Sequence, residues 1–94
     1  MDFSSVHNTH EQTIFDAVVA AASRYPAVAD EVDLLADVAC VALNRMPPHY
    51  IRHSADLAFF STDKERQATR RNIEESVDFA FGYVQARHAM AARR

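Results

Sequence analysis

The chain reads as an all-α protein with three main helices, a short extended segment after a Pro-Pro corner, and a dimeric assembly. Three observations predict this. Apolar residues recur at three- and four-residue steps in three separate stretches. A single Gly leaves little material for the tight turns of a β fold, or for a Gly-rich phosphate loop. Pro47-Pro48 ends the second stretch, because two prolines lock φ and remove two backbone donors. Hydrophobic residues make up 49% and charged residues 24%, the balance of a folded domain rather than a disordered one. Ninety-four residues suffice for one domain. A chain of this size buries only about 60–68% of its unfolded surface, so a dimer interface would add useful apolar burial.

Taken in order, residues 1–8 form a short polar tail, expected to be flexible, and 9–94 a single domain. Asn8 and Glu11 have the spacing of a capping box. Ile14, Phe15, Val18, Val19 and Ala22 follow at helical spacing, and Tyr25-Pro26 ends the run. Asp30 is positioned to cap the second helix, with Glu31 and Asp33 favouring its dipole. Leu34, Leu35, Val38, Val41, Ala42 and Met46 form its apolar face, and it should stop at Arg45-Met46, since the residue before a proline is driven to extended geometry.

His49 to His53 alternates and Phe59-Phe60 is β-prone, which suggests a strand or arm over 49–60. A lone strand needs a partner, and a two-fold copy would supply one. Thr62 and Glu65 make a second capping box. Ile73, Val77, Ala80, Phe81, Val84, His88 and Ala91 form the stripe of a long third helix whose first turns, Asp63 to Asn72, are polar and should face solvent. His88 is therefore read as a core or interface histidine. Leu43, Ile51, Phe60, Val77, Phe81 and Val84 exceed what so small a core needs, which is the argument for a dimer.

Charge is uneven. Residues 1–44 sum to −6 and residues 45–94 to +3, giving the overall −3. An acidic chain makes a poor duplex-DNA binder, whereas a local basic surface suits a small anionic ligand. The first residues carry no basic and apolar leader pattern and no apolar run reaches a membrane span, so a cytoplasmic protein without membrane insertion is expected. Cys40, the only cysteine, cannot form a disulfide within the chain and should act as a small hydrophobe.

The chemistry concentrates at the corner. Arg45 ends the second helix, Arg52 lies on the extended segment, and Arg66, Arg70 and Arg71 follow on the third helix. A guanidinium forks onto a phosphodiester with two parallel bonds and keeps its charge. Arg66 and Arg70, at i and i+4, share one face, although a solvated charge-laced face is the plainer reading of that stretch. Arg45 and Arg52, flanking the corner, are the preferred phosphate contacts. Tyr50 can stack on a purine, an interaction of about 1–3 kcal/mol per base.

His49 can donate to a phosphate. His49 and His53 on a strand stand about 13 Å apart, too far to share a metal, so no metal is expected. His53 joins the candidate set beside Arg52. Asp56 can accept from a guanine edge, or pair with Arg52 or His53. His7 and His10, in or near the tail, carry no assigned role. No Ser-His-Asp, Walker or zinc-protease pattern is present, so no catalysis and no cofactor are expected.

The segment Asp37-Val38-Ala39-Cys40-Val41-Ala42-Leu43-Asn44-Arg45-Met46-Pro47-Pro48-His49-Tyr50 resembles the signature of the late competence protein ComFB family. The likeness is sharp over roughly Asp30 to His53 and looser elsewhere. It implies a small, helical, dimeric bacterial protein acting as a cyclic-dinucleotide receptor, with c-di-GMP as the ligand and an unidentified downstream protein in motility, biofilm or competence signalling. Two departures stand out. His49 occupies a position that is often Arg in the family, and the cysteine cluster that holds zinc in some members is missing. The rival reading is a nucleotide-independent adaptor of competence, pilus or motility machinery. In that reading Asn44 and Arg45 cap the helix, and Pro47-Pro48 merely terminate it.

Overall fold

A computed structural model describes residues 1–53 and 62–92. Its elements run β1 (His7–Asn8), α1 (His10–Ala21), a 3₁₀ turn (Ala22–Arg24), α2 (Val32–Arg45), β2 (Tyr50–Ile51) and α3 (Asp63–Ala92). The expected helical architecture is present. α2 packs most extensively on α3, and α1 closes over both.

The core follows from three helical stripes. Ile14, Val18 and Ala21 come from α1, and Val38, Ala39 and Ala42 from α2. Ile73, Val77, Ala80, Phe81 and Val84 come from α3, with Val28 and Met46 sealing the ends. Phe15 and Val19, expected on the α1 stripe, are instead exposed, because the buried face is rotated onto Ile14, Val18 and Ala21. Cys40 is also exposed, since α2 buries its 38–39–42 side. The α3 stripe ends at Val84; His88 and Ala91 are exposed because this 30-residue helix outruns partners of 12 and 14 residues. Val77, Phe81 and Val84 are thus spent on the subunit's own core rather than on a partner.

Tyr25 ties the turn after α1 to α3. Its ring stacks on Phe81 with centroids 4.2 Å apart, and its hydroxyl donates to Asp78 Oδ1 at 3.3 Å. Arg24 pairs with the same carboxylate at 3.5 Å. Burial, then the Asp78 charge and hydrogen bond, raise the phenol above its ordinary value, with Arg24 acting the other way.

Caps differ from their expected form at two of three helix starts. Thr62 Oγ1 accepts the Glu65 N–H at 3.1 Å, as anticipated. α2 begins one residue later than an Asp30 cap requires, after Glu31, with no side-chain cap. α1 begins after Thr9, so Asn8 stands too far back to cap it in the box geometry. Met46 closes α2 at φ −100° and ψ 136°, the extended geometry that Pro47 imposes.

The extended segment finds its partner inside the chain. Tyr50–Ile51 pairs antiparallel with His7–Asn8, in the register His7 with Ile51 and Asn8 with Tyr50. These two residues of the expected flexible tail are therefore ordered by the strand after the corner, and no second copy is required for the pairing. Phe59 and Phe60 lie outside the described residues. No helix among the described residues is long and apolar enough to cross a membrane.

Candidate functional site

The double proline turns the chain away from α2 and presents His49 to the start of α1. Three hydrogen bonds hold it there, and a fourth fixes Asn8 to α1. Thr9 N–H donates to the His49 carbonyl at 2.8 Å. Asn8 Oδ1 accepts from the His49 N–H at 3.2 Å and from the His10 N–H at 3.1 Å. The His49 ring Nδ1 lies 3.4 Å from Thr9 Oγ1. Asn8 thus works as a clasp between the N-terminal strand and the corner, a use of its side chain that competes with helix capping.

Across from this clasp stand the first turns of α3. Between them lies a cleft of about 880 Å³, lined on one side by Thr9, His10, Thr13, Pro47, Pro48 and His49. Glu65, Arg66, Thr69, Arg70, Asn72 and Glu74 line the other, and Ala17, Met46 and Ile73 contribute to the lining. The polar start of α3 faces solvent as expected, and part of it also forms this wall.

His49, Pro47, Pro48, Arg66 and Arg70 are therefore brought together. Arg66 is already paired with Asp63 one turn back. Arg45 is not on this wall: its guanidinium lies 3.9 Å over the Phe79 ring of α3, a cation–π contact of about 0.5–1 kcal/mol at an exposed site. Neither Asn44 nor Arg45 caps the α2 carbonyls among the described residues. Tyr50, Arg52 and His53 are exposed along and after β2 and do not line the cleft. Asp56 lies outside the described residues.

Sequence reasoning gave His10 no role, yet it is half-buried in the cleft wall. Its ring centroid lies 6.3 Å from that of His49. Burial first, then the nearby His49, lower its affinity for a proton below the ordinary histidine value, while the Pro47 carbonyl acts in the opposite sense. The overlooked signal is the His10–Thr13 spacing, two polar residues on a side of α1 that runs beside its buried stripe and continues to Ala17. The arrangement offers donors of several kinds, with two guanidiniums, two imidazoles and the Asn72 amide, beside two carboxylate acceptors. It suits a ligand that is anionic in part and carries hydrogen-bond donors elsewhere.

No curated protein and no solved structure matches the chain. The family model described as late competence development protein ComFB matches residues 7–88, a span that begins at β1 and takes in the corner, the clasp and every wall of the cleft. The chain belongs to the ComFB family.

Proposed function

We propose that this protein is a cytoplasmic, non-enzymatic receptor for a cyclic dinucleotide, with c-di-GMP the preferred ligand, acting on a downstream protein in competence, motility or biofilm signalling. The observation that carries this reading is the meeting of His49 with Arg66 and Arg70 on one cleft, although some twenty residues of chain separate them. Its volume of about 880 Å³ falls in the range of small-molecule sites, roughly 300–1,000 Å³. Guanidiniums and imidazoles answer phosphodiesters. Glu65 and Glu74 answer the N1–H and N2–H₂ donors of guanine, which adenine lacks on the same edge. Family membership supports a role in competence and leaves ligand choice to these side chains.

Within this reading Arg70 is the principal phosphate contact, and Arg66 joins it by exchanging Asp63 for the ligand. Tyr50, Arg52 and His53 lie just beyond His49 and outside the cleft lining, so they serve at most the outer edge of the ligand, while Arg45 acts through its stack on Phe79. Competition binding against a fluorescent c-di-GMP tests the assignment. Arg70→Ala should weaken binding by tenfold or more, Arg45→Ala by less, and both should keep the helical circular dichroism of the parent. An unchanged affinity in Arg70→Ala would remove the cleft as the site.

The adaptor reading draws support from a different feature. Phe79, Tyr83 and Met90 are exposed along one side of α3, and Phe15 and Val19 along one side of α1. We assign the α3 side to a second copy of the chain and leave the α1 side for the downstream protein.

A further inference from the structure

His10 opens α1 and His49 ends the Pro-Pro corner, and their rings approach to 6.3 Å with planes tilted by 37°. Both line the cleft. Neither backbone can retreat freely, since Asn8 Oδ1 holds the N–H of each. The charged groups that face them come from α3: Glu65, Arg66, Arg70 and Glu74. On α1 itself Glu11 is exposed, and on β1 the His7 ring bonds the Ser5 carbonyl instead. Counting Asp63, which pairs with Arg66, three carboxylates of α3 stand against two guanidiniums. The sign of the charge at the cleft is thus set by the two imidazoles: −1 when both are neutral, and +1 when both are protonated.

A cyclic dinucleotide brings two phosphodiester charges, the complement of the protonated pair. We infer that His10 contacts the ligand and that a phosphate-bearing ligand enters this cleft with uptake of a proton by the His10–His49 pair. The identity of the ligand rests on the receptor reading above; the proton-linked anion site rests on the cleft alone. Without ligand, burial and the facing imidazole disfavour the His10 proton. An anion bound in the cleft beside the rings reverses that balance, so the bound state holds more protons and affinity rises as pH falls.

Two measurements on the intact protein test this. One is calorimetry with c-di-GMP between about pH 6 and about pH 8, in buffers of unlike ionisation heat. The other is an NMR titration of the His10 ring alone, with c-di-GMP and with inorganic pyrophosphate. The expected results are severalfold tighter binding at the acidic end with net proton uptake, and an upward move of the His10 midpoint in pyrophosphate. His10→Gln should remain folded, bind more weakly and lose the proton uptake. Affinity that ignores pH, with no buffer-dependent heat, overturns the proton link and leaves the receptor reading standing. A pyrophosphate shift at His10 without any cyclic-dinucleotide binding keeps the anion site and removes the receptor reading. A His10 ring that responds to neither ligand overturns the inference outright.

Discussion

Identical side chains acquire different work from where the fold puts them. Arg45 and Arg70 are both guanidiniums near the corner, but that of Arg45 lies over the Phe79 ring whereas Arg70 stands on the cleft wall. Their difference was not legible in the sequence, because it depends on which side of α3 meets α2. His10 gives the sharper example. Its proton affinity is lowered by burial and by His49, so between its folded-state value and the ordinary value of about 6.5 the unfolded chain binds more protons. Stability from this group is therefore complete above the ordinary value and declines as pH falls through the window below it. Thermal melts should show a lower Tm on acidification from neutral pH, with a flatter pH profile in His10→Gln. Parallel profiles for parent and variant would contradict that account.

At the scale of elements, the helices and the corner were readable and the clasp was not. Three apolar stripes and the extended residue before Pro47 are local rules, and the chain obeys them. The Asn8–Glu11 spacing obeys a local rule as well, but the corner offers Asn8 two N–H groups at once, and that tertiary demand prevails. Pairing of His7–Asn8 with Tyr50–Ile51 joins residues more than forty apart, a separation at which no periodicity in sequence speaks. The clasp has an energetic consequence. Asn8→Ala leaves two N–H groups without their acceptor, a loss of about 1–2 kcal/mol that chemical denaturation would register. On the proposed reading the same change loosens His49 and weakens ligand binding. A variant as stable as the parent would show that solvent replaces Asn8 at no cost.

The whole molecule is elongated for its mass. Its radius of gyration is 15.2 Å, against about 12 Å for a compact chain of this length. The cause is α3, whose 30 residues span roughly 45 Å beside much shorter partners. The large apolar groups that suggested a dimer, Val77, Phe81 and Val84, are internal. The large apolar residues exposed on one side of α3 are Phe79, Tyr83 and Met90. Light scattering should give a dimer mass for the parent and a monomer mass for Tyr83→Asp, both fully helical. Nothing lies within 4 Å of a Cβ added at Gly82, so Gly82→Ala should stabilise the subunit by about 1 kcal/mol in chemical denaturation. A parent protein that is monomeric at high concentration would contradict this assembly.

These scales converge on one cleft, where the clasp sets His10 and His49 opposite Arg66 and Arg70. Isothermal titration calorimetry of the folded protein with c-di-GMP, with c-di-AMP and GTP as controls, tests the central claim most directly. The account predicts micromolar or tighter binding of c-di-GMP, in preference to both controls. Heat from none of the three, on protein shown to be helical and cooperatively folded, would contradict it.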